Sequence, residues 1–266
     1  CTGLVWELMS IETYRIWSLF YLGELEAMSA AIQRMLEDAR QHGDLYTRAN
    51  LSTGLCSNAW LADGDVDGCE RAVDDAMQRW SARGYHLQRY WEMFARVQCE
   101  LYRGDGAAAH RRIEDGWPGF RGSLLTHIEL VRAEAEHLRA RALLAAAAEQ
   151  GDPGLVRSAA ALAGRLDRPG RPWTDALAAL VRAGASAAAG DRAAAADGFA
   201  AAEQACTAAG LAAHAAAARH RRGELAGGDT GAAACTDAAA WLAGRGVRDP
   251  ARFAAMLAPG LPPDRP

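Results

Sequence analysis

The chain has 266 residues with a net charge of -4, and it is 50% hydrophobic and 23% charged. That hydrophobic share excludes a largely disordered chain. The mild acidity excludes the surplus of basic side chains on which non-specific nucleic-acid binding draws, and no stretch approaches the roughly 18 to 20 uninterrupted apolar residues of a membrane span. Neither nucleic acid nor a membrane is therefore expected among the partners.

A glycine-acid pair recurs along the chain: Gly23-Glu24, Gly64-Asp65, Gly104-Asp105, Gly151-Asp152, Gly190-Asp191 and Gly228-Asp229, spaced by 41, 40, 47, 39 and 38 residues. Glycine suits the left-handed residue that closes a helix, and an acid just after it suits the cap or first turn of the next one. A second glycine falls near the middle of most intervals, as at Gly43, Gly84, Gly122, Gly170, Gly210 and Gly246. Each period thus holds two helices. The expected fold is an all-α solenoid of about six antiparallel, tetratricopeptide-like hairpins, one domain over residues 1–258.

In chain order, the first hairpin carries Trp6, Ile16, Trp17, Phe20 and Tyr21 on one helix, with Met28, Ile32, Met35 and Leu36 on its partner. The second pairs a helix over 46–61 with one over 66–82. The third opens with Leu87, Tyr90, Trp91, Phe94, Val97 and Leu101 along one face, and Gly116-Trp117-Pro118-Gly119 predicts a short helix and a bent loop in its partner. The fourth has a long first helix over 126–149 and a partner over 155–166. The fifth starts at Trp173, and the sixth spans 211–246. Asp249-Pro250 predicts a short last helix that covers the open end of the stack, followed by a disordered tail over 259–266. Fifteen of the 19 aromatic residues precede position 126, so an aromatic-rich half (1–125) with a wide core should meet an alanine-rich half (126–258) with close, thin packing.

Enzymatic chemistry finds little footing. All 29 basic residues are arginine, so the lysine of a phosphate-binding loop or of a kinase is missing from these residues. The seven histidines form no His-x-x-x-His pair and have no close cysteine partner, so no metal site is expected and the histidines read as solvated or capping. Asp74-Asp75 lacks the third acid of a magnesium-pyrophosphate motif and reads as a solvated face. The six cysteines form no Cys-x-x-Cys pair and read as buried free thiols of a reducing cytoplasm.

The candidate surface is the stack of first helices, expected to line a concave groove. Asn50, Thr53 and Ser57, then Arg89, Glu92 and Arg96, then Glu129, Arg132, Glu136 and Arg139 follow helical spacing opposite the apolar stripes. Together they would offer a polar groove to a protein or peptide ligand; the competing reading is a wet face laced by Glu-Arg pairs. Trp117 is expected to pack rather than to anchor a partner.

Tyr21-Leu22-Gly23-Glu24-Leu25, and above all Trp241-Leu242 through Gly246-Val247-Arg248-Asp249-Pro250-Ala251-Arg252 with Met256-Leu257-Ala258-Pro259-Gly260, give the chain its likeness to a known family. It resembles the C-terminal helical-repeat region of large bacterial serine/threonine protein kinases that carry a central signalling ATPase module. The resemblance implies a cytoplasmic, non-catalytic regulatory tail, part of a longer polypeptide, whose partners include the upstream kinase and ATPase modules. ATP and magnesium would belong to those modules, with no cofactor in this chain. Two alternatives stand beside it: the tail of a signalling-ATPase transcription regulator, and an all-helical enzyme with a pocket in the N-terminal half.

Overall fold

The computed structural model describes residues 4–78, 80, 84–167 and 170–262, with side chains from residue 10. Trp6, the end of the helix expected over 66–82, Cys1 and the last four residues of the chain fall wholly or partly outside that description. Among the described residues the fold is all-helical, without strands.

Six hairpins follow one another. They are α1 (Leu4–Leu22) with α2 (Leu25–Gln41); α3 (Leu45–Ser52), a 3-10 turn at Gly54–Ser57 and α4 (Asn58–Ala62) with α5 (Val66–Met77); and α6 (Leu87–Arg103) with α7 (Gly106–Arg121). Then come α8 (Glu129–Gln150) with α9 (Pro153–Leu166), α10 (Pro172–Ala188) with α11 (Arg192–Ala208), and α12 (Ala212–Ala226) with α13 (Gly228–Ala243). A last helix, α14, covers Pro250–Leu257. Each helix packs on its neighbour in sequence, as a solenoid requires.

The repeated turns work as their composition dictates. Gly64 and Gly104 take φ of 70° and 78°, the left-handed conformation that ends a helix cheaply only in glycine. The next residue caps the following helix: Asp65 accepts from the Gly68 N–H at 2.8 Å, and Asp105 from the Ala108 N–H at 2.8 Å. Asp152 and Asp191 cap α9 and α11 in the same manner. Glu24 makes no side-chain cap, and Gly228-Asp229 lies inside the first turn of α13 instead of before it.

First helices are inner and second helices outer. α9 buries only Ala159, Leu162, Ala163 and Leu166, and α11 only Ala195, Phe199, Ala202 and Cys206, each a single stripe at helical spacing. α6 is buried around most of its circumference, from Gln88 to Tyr102. α10 and α11 approach closely: a Cβ on Gly198 of α11 would sit 3.1 Å from the Cα of Ala183 on α10.

Four expectations need correction. The helix over 46–61 is broken, because Thr53 is extended (φ -130°, ψ 178°) and Gly54 turns left-handed (φ 59°) under the Trp91 ring. α7 runs unbroken through Trp117 and Pro118 to Arg121 despite the hydrogen bond that the proline nitrogen cannot donate, with Trp117 packed against Phe120 at 5.3 Å. α8 starts at Glu129, after a 3-10 turn at Leu124–His127. Finally, α14 does not lie across the end of the stack, and the tail after it is not loose as far as Gly260.

α14 occupies the inner face. It packs on α6, α12 and α13, and its Phe253, Met256 and Leu257 are buried. Arg141 of α8 donates to the Met256 carbonyl at 3.1 Å, and Pro259 and Gly260 are buried beside Gly184 of α10. The two ends of the array meet around it. α1 touches α12, the Trp241 ring lies over Gly23, and the Arg248 N–H donates to the Ala62 carbonyl at 2.8 Å.

A glycine-to-alanine change inside a helix ordinarily stabilises by up to about 1 kcal/mol. Gly164→Ala on α9, where a Cβ meets nothing within 4 Å, should do so. Gly184→Ala should instead lower the melting temperature, by about 2–10 °C, because its Cβ would run into the Pro259 carbonyl and the Leu144 side chain. Equal melting shifts for the two variants would mean that the segment after α14 is not seated on α10.

Candidate functional site

Two places gather polar groups. The first is an open cleft of about 670 Å³ between the α6 and α7 helices, lined by Tyr85, Arg89, Glu92, Arg96, Glu100, Arg111, Arg112 and Asp115. Arg89, Glu92, Arg96 and Glu100 come from α6 at the helical spacing that leaves the apolar stripe for the core, and Arg111, Arg112 and Asp115 come from α7. Arg89 donates to Glu92 at 2.9 Å, Arg96 reaches both Glu92 (3.1 Å) and Asp74 (2.7 Å), and Arg112 pairs with Glu100 at 2.6 Å. The Arg89-Glu92-Arg96 ridge also borders a shallower recess of about 400 Å³ that includes Asp74 and Asp75.

Those three ridge residues are the members of the expected groove that share one open surface. Asn50, Thr53 and Ser57 are buried. Asn50 accepts from Gln88, Thr53 bonds the Ala49 carbonyl, and Ser57 bonds the Gly54 carbonyl. Glu129 pairs with Arg171, and buried Glu136 pairs with Arg165 of α9 at 2.5 Å. Arg139 grips Glu114 of α7 through two bonds, at 2.7 and 2.9 Å, and lies 4.5 Å over the Trp117 ring. Arg132 is half-buried on α8. Most of these charges therefore tie one helix to the next.

The second place is enclosed. Where α1, α6, α8 and α12 converge under α14, a space of about 20 Å³ is walled by Tyr21, Gln98, Glu134, His137, Arg141 and His214 among apolar side chains. Tyr21 donates its hydroxyl to Glu134 at 2.7 Å across 113 residues of sequence. His137 and His214 lie 6.0 Å apart, and Phe20 meets His214 edge-on at 5.8 Å. The Tyr90 hydroxyl, Gln98 Oε1, His137 Nε2, Arg141 Nε and His214 Nδ1 are buried without a protein partner. A polar space of that volume admits a single water, and the orphaned groups give it hydrogen-bond partners.

Burial sets the charge states here. It raises Glu134 to about 7, with the Tyr21 bond pulling the other way. It lowers His214 to about 3, helped by the Arg141 charge, and it depresses His137 in the same direction. Arg141 is drawn down to about 10 and stays a cation at neutral pH. Its buried charge donates to one helix-terminal carbonyl, that of Met256, with Tyr21 and Tyr90 nearby.

Sequence reasoning missed this cluster and read His137 and His214 as solvated or capping, whereas both are buried. The available signal was on α8 itself: Glu134, His137 and Arg141 share a face with Val131 and Leu138, so the helix is polar on two sides. Cys56, Cys69, Cys99 and Cys206 are buried free thiols, as expected, and burial pushes Cys56 and Cys206 up to about 12. Among the described residues no group of three or more His, Cys, Asp and Glu side chains comes together to hold a metal ion, and no helix is long and apolar enough to cross a membrane.

The buried groups fix a pH profile. Glu134 has a raised folded pKa, so its stabilising contribution is complete below about pH 4.3 and is lost as pH rises through about 7. The histidines are depressed, so theirs is complete above about pH 6.5 and is lost as pH falls. Two protons outweigh one below about pH 6.5 and the two effects nearly cancel above it, so stability should rise to about pH 6.5 and then level off. Glu134→Gln keeps an acceptor for Tyr21 and should remove the opposing Glu134 contribution, so that its stability relative to wild type grows by a few kcal/mol between pH 5 and 8 in denaturant melts. A difference that is flat across that range would mean Glu134 titrates as if in water. Compared with known proteins, the chain matches no family model, no curated protein and no solved structure.

Proposed function

We propose that this chain is a non-catalytic partner-binding and regulatory module, and that it serves as the cytoplasmic C-terminal tail of a bacterial serine/threonine protein kinase with an ATPase module. The observation that carries the binding part is the open cleft between α6 and α7. Beside the Arg96–Asp74 and Arg112–Glu100 pairs, a concavity of about 670 Å³ stays open, with Arg111, Arg112 and Asp115 of α7 exposed along it. Such a surface suits a charged peptide segment held by charge-assisted hydrogen bonds, with Tyr85 and Met93 supplying apolar footing. The kinase part rests on the residues from Trp241 to Gly260 that prompt the resemblance, and the lack of lysine leaves phosphoryl transfer to other modules.

The all-helical enzyme is less well supported: the roomy cavity of the N-terminal half is the open α6–α7 cleft, walled by arginine–carboxylate pairs, and the enclosed chamber has room for about one water rather than for a substrate. A transcription-regulator tail would need a DNA-reading domain elsewhere in the polypeptide.

Two measurements test the proposal. The coding sequence upstream of Cys1 should contain a kinase catalytic loop and a phosphate-binding loop; a start codon immediately before Cys1 would remove the kinase reading and leave a free-standing adaptor. Arg96→Glu with Arg111→Glu should lower capture of the upstream modules at least about tenfold at unchanged helical circular dichroism, since two cationic donors become repulsive. Undiminished capture would take the cleft out of consideration.

A further inference from the structure

The inner face of the array is filled by the chain's own last helix, and three features set that contact apart from ordinary core packing. α14 is two turns long and is anchored by Phe253, Met256 and Leu257, at i, i+3 and i+4, the pattern of a helix laid in a groove. It does not fill its trough: an open channel of about 600 Å³ runs along it, bordered by Tyr102, Arg103, Glu149, Arg221 and Arg252. At its C-terminal end stands Arg141, a buried cation that meets a carbonyl where a carboxylate would suit it better.

We propose that the α14 seat is an exchangeable helix-binding groove and that α14 is its built-in competitor. The ligand it would accept in exchange is an amphipathic helix of a partner protein, with an aromatic residue followed at i+3 and i+4 by Met- or Leu-like residues and a negative C-terminal end for Arg141. A helix longer than α14 gains the unfilled channel, whereas α14 gains from being tethered, so exchange occurs only with a ligand that uses both the channel and the buried cation. Removing α14 also opens the chamber of Glu134, His137 and His214 to water, so that occupancy of the groove and the protonation of these groups are linked. Tyr21, Gln98 and Arg141 are the other polar groups facing that chamber, from α1, α6 and α8, and buried Tyr90 of α6 lies near enough to feel the Glu134 and Arg141 charges.

This deepens the partner-binding reading by naming a second surface and the chemistry of its ligand. The test uses the full chain with Phe253→Ser and Leu257→Ser, which should unseat α14, and a fluorescent peptide with the sequence of residues 248–257. The variant should keep its helical circular dichroism and a cooperative melt, and bind the peptide with a Kd on the order of 10 μM, at least about tenfold tighter than wild type, whose groove is occupied. The peptide ending in a free carboxylate should bind roughly tenfold tighter than its amide. A folded variant that ignores the peptide would overturn the proposal, as would a variant that loses its helices, because α14 would then be core and not competitor. Equal affinity of the carboxylate and amide would remove Arg141 from ligand selection, and a wild-type dimer with exchanged α14 would make a second copy the occupant. The Arg96 and Arg111 charge reversal reads the α6–α7 cleft alone, so failure here and failure of the partner-binding reading are distinguishable.

Discussion

Tyr21 and Glu134 meet through one hydrogen bond in the interior, and much of the architecture follows from making that contact possible. A carboxyl group without water must find a donor or stay protonated, and here it does something of each. To bring Tyr21 to Glu134 the array has to curl until its first hairpin reaches the fourth and sixth. That curl converts the inner surface of a solenoid, ordinarily a wet channel, into a space too small for bulk water. His137, His214 and Arg141 are then committed to the same dry environment, and α14 seals it. The cost of burying so many polar atoms is offset by the apolar side chains that close around them, among them Phe20, Phe94, Leu177 and Leu257.

The curl also explains why charges that look like a wet face in sequence are structural. Once first helices press together on the inside, the flanks of each helix become seams with its neighbours, and the guanidinium of Arg139 or the carboxylate of Glu136 spans a seam. The α6–α7 hairpin departs from this. There the flank stays open, with Arg111, Arg112 and Asp115 of α7 exposed along it, and this is where a charged surface can meet another molecule.

How much of this was legible in sequence depended on distance along the chain. The Gly-Asp turns were readable because both parts of the device, a left-handed glycine and a capping carboxylate, act within about four residues. The extents of α6, α9 and α14 followed for the same reason. The break at Thr53-Gly54 was hidden, because what bends the chain there is Trp91 coming down on Gly54 from the next hairpin. Pro118 misled in the opposite sense: it does forfeit the bond its nitrogen would give to the Glu114 carbonyl, yet the packing of Trp117 on Phe120 holds the helix to Arg121. The interior cluster was out of reach, since its contacts join α1 to α8 and α8 to the chain end across more than a hundred residues.

Those long-range contacts bear on how the molecule comes apart. An open repeat array behaves nearly as a one-dimensional lattice whose terminal units fray while the middle persists. Here the terminal units hold each other, through the Trp241 ring on Gly23 and the Arg248 amide on the Ala62 carbonyl, so neither end is free to peel away first. Opening requires the whole circuit to be broken at once, which raises cooperativity. It also lengthens the average loop that folding must close, so assembly of this helical chain is slower than its local helices alone would dictate.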